Sequence, residues 1–425
     1  MSNLSRRNFV KGAGLASAAV AASAATVPAL ADEATADVVY PEGLQASDFA
    51  ESPVELAPIT EFAAEYTYDV VVIGAGTGGV PAALSAVEEG ATACCLQKES
   101  APLSQGGTST GIMLDESDEQ GVMNHMQGFI EDCHWRADRG LARFYYDHSG
   151  ETMRWMEVRS MEAGFPPYSI GEVTFEYEDG SKCTKRSNRF GPKPYTNNEL
   201  INALAKLAEE RGVDFYYSTP GVQLIQDESG AVTGVVGKTE AGEYIKFNAT
   251  KGVILSTGDI SSDREMLTYY APQALRYGQF FSSFDRDGDM VNTGDSHKMA
   301  LWAGAAMEDG PYAPMTHSLG TNSVGIDPFL MVNKDGERFA NEDAGAQELQ
   351  NQIKRQKGGV TYQVFDSKWK EQLQYMPQCF GGVTHYVPPE DEDRYQHAIN
   401  HFAAGYASDT YFQGEVDAGS IIPAD

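Results

Sequence analysis

Glycines with the spacing of a dinucleotide-binding turn follow the first β-branched run of the chain. Gly74, Gly76 and Gly79 stand between residues 69–73, which are typical of a buried parallel strand, and a stretch with apolar residues at helical spacing. Free N–H groups at the start of such a helix attract a diphosphate, and glycine lets that anion approach the backbone. A second apolar strand ends at residues 97–98, which completes a β-α-β unit. The spacing therefore predicts a nucleotide-binding turn, and a glycine turn without a nucleotide is the alternative.

The rest of the pattern predicts an α/β fold with a Rossmann-like sheet. Residues 198–211 have helical spacing, and residues 252–255 indicate a further buried strand. Between them, strand-like segments separated by turn residues indicate a small antiparallel β-meander, at 214–217, 222–226, 232–238 and 244–248. Beyond about residue 305 the long periodic runs become rare. We therefore predict a linker at 32–66, a nucleotide-binding domain at 67–304 and a second domain at 305–425.

Charge and composition restrict the partners of the chain. The 425 residues include 61 acidic and 31 basic side chains, for a net charge of −30, and 42% are apolar. The apolar share is sufficient for a buried core, so most of the chain is predicted to fold. The acidic excess disfavours nucleic acid and anionic membrane surfaces as partners. The five cysteines form no CxxC motif, so a zinc ribbon, a covalently attached haem or another metal site is not expected.

Residues 1–31 are predicted to be an export signal. Arg6 and Arg7 precede an Ala-rich apolar run that ends in an A-x-A cleavage site at residues 29–31. The paired arginines make this segment resemble a twin-arginine (Tat) signal, and its weak apolarity disfavours a membrane helix. The Tat translocase is thus an expected partner. The mature protein is expected in the periplasm or at the outer face of the cytoplasmic membrane.

Several motifs together resemble those of one flavoprotein superfamily. They are the glycine turn, the loop at 105–111, and the segments at 253–258, 292–295 and 332–342. In this order, and over residues 67–425, the chain is similar to the FAD-dependent fumarate reductase, urocanate reductase and 3-ketosteroid dehydrogenase superfamily. The resemblance implies FAD as the cofactor. It also implies an α+β capping domain inserted into the Rossmann-like FAD-binding domain.

The resemblance further implies which residues contact FAD. The glycine turn would hold the diphosphate, and the loop at 105–111 would lie along the isoalloxazine ring and the phosphates. Val222 would touch the adenine through its backbone, with Thr257 and Gly258 closing that side. The implied cofactor-binding residues are Gly74, Gly76, Gly78, Gly79, Gln97, Gly106, Gly107, Thr108, Ser109, Gly111, Val222, Thr257, Gly258 and Asp295.

One of these positions departs from the pattern of the superfamily. Its members usually carry Glu at the end of the second strand, where the carboxylate binds the ribose hydroxyls, and this chain has Gln97. A glutamine carbonyl still accepts a hydrogen bond from a hydroxyl, but the bond lacks the charge-assisted strength of a carboxylate. Gln97 is therefore expected to weaken the ribose contact, and Glu99 is an alternative acceptor.

The residues that deliver protons in fumarate-reducing members are largely replaced. Those members carry a Thr-Glu-x-x-Arg segment and a proton-donating Arg, and the corresponding residues here are Thr321, Asn322, Gly325 and Ala346. Because glycine and alanine cannot transfer protons, fumarate reduction in the manner of the family is not expected. Tyrosines and one histidine in the same part of the chain are candidates for another acid, namely Tyr269, Tyr312, Tyr362 and His317.

Three residues form the predicted catalytic set: Tyr312, Thr321 and Arg338. Tyr312 is the candidate acid, and Thr321 is what remains of the family's first segment. Arg338 belongs to the retained 332–342 motif, where a fixed charge that pairs with an Asp or Glu is favoured over a proton donor. For the tyrosines, an ordinary amphipathic residue at a domain interface is the alternative.

The combined expectation is an exported, FAD-dependent oxidoreductase that reduces an activated C=C bond of a small organic acceptor. Its electrons are expected from a separate donor, a cytochrome c or an FMN-binding protein, because the chain has no CxxCH motif and no second nucleotide fingerprint. A 3-ketosteroid-type dehydrogenase is one alternative. The last residues resemble a segment inside the family's capping domain, so a truncated member, or a non-catalytic remnant, is another.

The export signal generates the first testable prediction. When Arg6 and Arg7 are both replaced by lysine, we expect the precursor to accumulate in the cytoplasm, because the Tat pathway recognises the paired arginines. Cell fractionation with an antibody against the chain measures this accumulation. Unchanged export of the double variant would contradict the prediction.

Overall fold

A computed structural model describes residues 57–104, 108–190, 197–272, 274, 285, 289–308, 312, 328–344, 346–372 and 375–376. The strands are β1 (Ala64–Ile73), β2 (Ala93–Leu96), β3 (Thr108–Ile112), β4 (Tyr168–Glu176), β5 (Lys182–Arg189), β6 (Val213–Tyr216), β7 (Gly221–Gln226), β8 (Val232–Lys238), β9 (Tyr244–Leu255), β10 (Leu330–Asn333) and β11 (Thr361–Val364). The helices are α1 (Gly79–Glu88), α2 (Glu119–Asp132), α3 (Arg139–Glu162), α4 (Asn197–Glu210), α5 (Arg264–Tyr270), α6 (Asp295–Trp302), α7 (Ala346–Ile353) and α8 (Trp369–Gln372). In this part of the chain, no helix combines the length and the apolarity needed to cross a bilayer.

The central element is a six-stranded sheet in the order β6-β2-β1-β9-β8-β7. β6, β2, β1 and β9 run parallel, and β8 and β7 continue the sheet in antiparallel fashion. Ile73, the last residue of β1, is in register with Leu96 of β2 and with Leu255 of β9. The loops that follow these three strands therefore start at the same edge of the sheet. The predicted α/β class with a Rossmann-like sheet is confirmed.

The structure corrects two of the predicted strand boundaries. The segments at 244–248 and 252–255 form one strand, β9, because β1 pairs with both of its halves across a single register shift between Tyr68 and Val70. β1 itself begins at Ala64, inside the predicted linker, since residues 64–68 pair with residues 245–249. The meander is also smaller than predicted. It consists of β7, β8 and β9, whereas β6 lies at the opposite edge beside β2.

The main core lies between one face of this sheet and helices α1 and α4. Val72 and Cys95 project from the strands onto Leu84 of α1 and Leu204 of α4, and each of the four side chains is fully buried. Burying an aliphatic side chain of this size contributes about 1.5–3 kcal/mol to folding. The helical spacing of the apolar residues in α1 and α4 thus serves to cover the nucleotide-binding half of the sheet.

A second, three-stranded sheet, β3-β5-β4, corrects the predicted loop at 105–111. Thr108, Ser109 and Gly111 belong to β3, which pairs antiparallel with β5. A Cβ at Gly111 would lie 2.7 Å from the Ser149 carbonyl oxygen of α3, so this glycine permits close packing of strand and helix. The glycine-rich composition of residues 105–111 alone did not show whether Gly111 lies in a loop or in a strand packed against a helix.

Glu88, near the end of α1, connects that helix to two others. Its carboxylate accepts hydrogen bonds from Arg159 Nε at 2.7 Å and Trp155 Nε1 at 3.0 Å, both on α3, and it pairs with Arg211 just after α4. Burial acts to raise the pKa of Glu88, but these hydrogen bonds and positive charges outweigh it and hold the pKa below the ordinary value of 4.5. The Glu88 side chain is only 17% exposed, so solvent screening of these interactions is limited.

Replacing Glu88 by Gln is expected to lower the free energy of unfolding by about 1–3 kcal/mol near neutral pH, because charge-assisted hydrogen bonds are lost. Since the folded-state pKa is lowered, the contribution is present above about pH 4.5 and is lost as the pH falls through the folded pKa. Denaturant unfolding at several pH values measures it. The exposed neighbour Glu89, replaced by Gln, is the matched control. Equal losses for the two variants at neutral pH would contradict the prediction.

Candidate functional site

A cavity of about 310 Å³ opens at the edge of the sheet where β1, β2 and β9 end. Its wall consists of the glycine turn after β1, the segment after β2, the start of β7, the segment after β9 and the segment leading into α6. The lining residues are Ile73, Gly74, Ala75, Gly76, Thr77, Gly78, Leu96, Gln97, Lys98, Glu99, Leu103, Ser104, Pro220, Gly221, Ser256, Thr257, Gly258, Val291, Asn292 and Asp295. Such a position, outside the carboxyl ends of parallel strands, is where open α/β sheets bind ligands.

The glycine turn forms the floor of the cavity, and a Cβ at Gly74, Gly78 or Gly79 would lie too close to neighbouring atoms. Gly74 has a φ of +99°, and a Cβ there would overlap the Ser256 carbonyl oxygen. A Cβ on Gly79 would overlap the Gly74 carbonyl oxygen, and one on Gly78 would lie 2.6 Å from Ser256 Oγ. The turn residues 74–78, which lead directly into α1, therefore line the cavity with backbone that is largely free of side chains. This cradle fits the diphosphate of a dinucleotide.

Gln97 continues from β2 into the cavity wall and is largely buried. Its backbone is fixed on both sides, since its N–H donates to the Tyr216 carbonyl at 2.9 Å and its carbonyl accepts from Thr219 N–H at 2.8 Å. The side-chain amide nitrogen donates to the Ala101 carbonyl at 3.3 Å. The amide oxygen is then the group that Gln97 can offer to a ribose hydroxyl.

The segment after β9 forms the facing wall. Thr257 Oγ1 accepts a hydrogen bond from Ser296 N–H at 2.9 Å, which fixes the first turn of α6 against this wall. Gly258 has a φ of +84°, and a Cβ there would lie 3.2 Å from the side chain of Asn292. Asp295 is the first residue of α6 and pairs with Lys98 at 3.0 Å. Thr257 and Gly258 thus meet Asp295, which lies much later in the sequence, at one cavity.

Not all of the predicted cofactor-binding residues line this cavity. Val222 was predicted to contact the adenine, but it does not line the cavity. The two residues before it, Pro220 and Gly221, line the cavity instead. Ser109 and Gly111 lie in β3 of the second sheet, and Thr108 is the first residue of that strand. Gly79 shapes the turn beneath the cavity, whereas Gly106 and Gly107 fall outside the described residues.

Of the predicted catalytic residues that the structure describes, neither Tyr312 nor Arg338 lines the cavity. Tyr312 Oη donates to the Glu308 carbonyl, and its ring packs 5.6 Å from that of Tyr270. Thr321 falls outside the described residues. Arg338 forms an ion pair with Glu342 that links the two ends of a single turn.

The Arg338–Glu342 pair has a clear electrostatic consequence. Burial acts to raise the pKa of Glu342, but the hydrogen bonds from Arg338 and from the Met331 N–H outweigh it and lower that pKa. The hydrogen bonds to Glu342 also raise the pKa of Arg338. A guanidinium held in this way stays charged, so the arrangement favours a fixed charge over a proton donor.

Several cavity residues were not identified from the sequence. Lys98 and Asn292 line the cavity, and Thr77 Oγ1 forms a hydrogen bond with Ser104 Oγ across it. Lys98 directly follows Gln97, so its position at the end of β2 was the sequence feature that could have indicated a place in the cavity wall. The partners of Ser104 and Asn292 depend on tertiary pairing, which no local pattern encodes.

A family model described as "FAD binding domain" matches residues 69–374. A probable fumarate reductase of Shewanella frigidimarina, Ifc3, is 27% identical over 71% of this chain and 51% of its own length. The urocanate reductase of Eggerthella lenta is 27% identical over 78% of this chain and 55% of its own length. The chain therefore spans about half the length of these relatives.

Among solved structures, a 3-ketosteroid-Δ4-(5α)-dehydrogenase from Rhodococcus jostii superposes with a TM-score of 0.54 at 21% identity. The superposition covers 76% of this chain and 70% of the other. At this identity the likeness concerns the fold alone.

The glycine cradle generates a prediction about cofactor affinity. The diphosphate is expected on the cavity floor, and Gly76→Ala places a methyl group there. This methyl group lies 3.3 Å from the Leu103 carbonyl oxygen. We expect the dissociation constant of FAD to rise at least about tenfold, equivalent to ~1.4 kcal/mol. Fluorescence titration of the apoprotein with FAD measures the change.

Gly128→Ala in α2 is the matched control, because a Cβ there meets nothing within 4 Å. This control should leave the FAD affinity nearly unchanged and should not lower the melting temperature, because alanine favours a helix more than glycine does. Wild-type affinity in Gly76→Ala would show that the diphosphate lies elsewhere.

Proposed function

Because the chain belongs to the FAD-binding domain family whose model matches residues 69–374, we propose that it is a flavoprotein reductase that acts on an activated C=C bond. FAD is the cofactor of this family, and the resemblance to the fumarate and urocanate reductases is confirmed. The observation that carries the proposal is the glycine-floored cavity at the ends of β1, β2 and β9, within a chain of that family.

The named relatives support this class of substrate. Fumarate and urocanate each contain a carbon–carbon double bond conjugated to a carboxylate, which makes the bond an acceptor for hydride. Bound FAD, once reduced, supplies the hydride for such a reduction. We therefore propose a small organic acceptor with a conjugated C=C bond as the substrate.

The residues of this chain have separable roles in the proposed function. Backbone N–H groups of the glycine turn would bind the diphosphate, and Gln97 would accept a hydrogen bond from the ribose. Ala346, at the start of α7, stands where fumarate-reducing members are expected to carry the proton-donating Arg. The acceptor is therefore proposed to be one other than fumarate, with its proton supplied by a different group. Tyr312 is the first candidate for that group, and Tyr269, Tyr362 and His317 are the others.

The electron source and the location of the protein complete the proposal. Electrons would come from a separate donor, a cytochrome c or an FMN-binding protein. Residues 1–31 would direct the folded protein through the Tat translocase to the outer face of the cytoplasmic membrane or to the periplasm. The 3-ketosteroid-type dehydrogenase stays an alternative prediction, since the likeness to the Rhodococcus enzyme concerns the fold alone.

The proposal is tested by the oxidation of reduced methyl viologen by the FAD-reconstituted chain. We expect turnover of at least about 1 s⁻¹ with a conjugated alkene from a panel of enoates and enones, and much slower turnover with fumarate. The apoprotein without added FAD is the control for reactions that do not need bound FAD. Fast fumarate reduction would contradict the proposal that a chain with Ala346 in place of the proton-donating Arg does not reduce fumarate. Inactivity with every alkene would contradict the proposed function.

A further inference from the structure

Lys98 joins two walls of the cofactor cavity that are almost 200 residues apart in the chain. Its ammonium group donates to the Val291 carbonyl at 2.6 Å, to Thr293 Oγ1 at 3.0 Å and to Asp295 Oδ2 at 3.0 Å. An ammonium has three N–H groups, and each has one of these acceptors. The side chain thus extends from the end of β2 to the segment that leads into α6.

The segment at 291–296 is held from the other side by the loop after β9. Asn292 Nδ2 donates to Asp259 Oδ1 at 3.0 Å, Gly294 N–H to the Asp259 carbonyl at 3.0 Å, and Ser296 N–H to Thr257 Oγ1 at 2.9 Å. These bonds do not involve β2. Lys98 therefore links this segment to the Gln97 side of the cavity, and the bonds to the loop after β9 do not depend on it.

The cavity is lined by few charged side chains, and Lys98 is one of them. Among the cavity-lining residues that the structure describes, Lys98 carries the only positive charge, beside the acidic Glu99 and Asp295. A lone cation in a site for a diphosphate would ordinarily be assigned to the phosphates. Here its three donors are already used, and Asp295 neutralises its charge.

We infer that Lys98 is a positioning residue that holds the 291–295 segment as a wall of the FAD site, and that it is not a ligand of the diphosphate. The diphosphate then depends on the backbone N–H groups of the glycine turn. Asp295, expected from the sequence to bind the cofactor, acts in part through Lys98. One of its oxygens accepts from the ammonium and the other from Thr293 Oγ1 at 2.8 Å.

This inference rests on FAD as the bound cofactor and not on the reaction proposed above. It is therefore tested by binding and by hydrogen exchange, and neither depends on turnover. A failure of the proposed alkene reduction would leave these two measurements unchanged.

The first experiment is amide hydrogen exchange on the apoprotein of Lys98→Met. We expect protection of residues 291–295 to fall severalfold, because the segment loses its link to β2 while its bonds to the loop after β9 remain. Lys251→Met is the matched control, since Lys251 pairs with Asp69 at 3.6 Å and does not line the cavity. Unchanged protection in the Lys98→Met apoprotein would overturn the inference, because a phosphate ligand has no role before FAD binds.

The second experiment is a double-mutant cycle on FAD affinity with Lys98→Met and Thr293→Val. Each single variant should weaken FAD binding, Lys98→Met by about tenfold or ~1.4 kcal/mol. The double variant should be little weaker than Lys98→Met alone, because both changes remove the same link. Additive losses, or wild-type affinity in Lys98→Met, would overturn the inference. Thr293→Val carries no change of charge, so it tests the link even if Lys98→Met folds poorly.

Discussion

The contact between Gly79 and the Gly74 carbonyl is the constraint on which the cofactor site depends. No methyl group fits between them, so the first turn of α1 lies directly against the end of β1. This approach places the turn at residues 74–78 on the cavity floor and brings Val80 and Leu84 into the core below. The same pair of glycines therefore determines both the packing of the β-α-β unit and the position of its anion-binding groups.

The register of three strands extends this local constraint into a site. Because Ile73, Leu96 and Leu255 are aligned, Gly74 N–H donates to the Leu96 carbonyl at 2.7 Å and Ser256 N–H to the Ile73 carbonyl at 2.8 Å. The loops that leave the sheet here begin within hydrogen-bonding distance of one another. Lys98 then attaches a fourth segment, from position 291 onward, to the edge that these loops form.

The sequence allowed the prediction of those features that local spacing encodes. The β-branched run, the glycines and the helical pattern of α1 placed the turn correctly, since each depends on neighbours in the chain. The continuity of β9 was not predicted, because it depends on β1 pairing across a register shift. The role of Lys98 was missed for a similar reason: its partners lie almost 200 residues away, and lysine at the end of a strand has no characteristic pattern. The strand β3 was predicted as a loop because glycine is typical of loops, whereas Gly111 here permits close packing of the strand against α3.

The central claim is that the glycine turn binds the FAD diphosphate while Lys98 holds the opposite wall. A crystal structure of the FAD-reconstituted chain tests it most directly. The account predicts diphosphate oxygens at about 2.7–3.2 Å from backbone nitrogens of residues 76–79, with the Lys98 ammonium still on Asp295 and the Val291 carbonyl. A diphosphate bound away from this turn, or a Lys98 ammonium moved onto a phosphate oxygen, would contradict it.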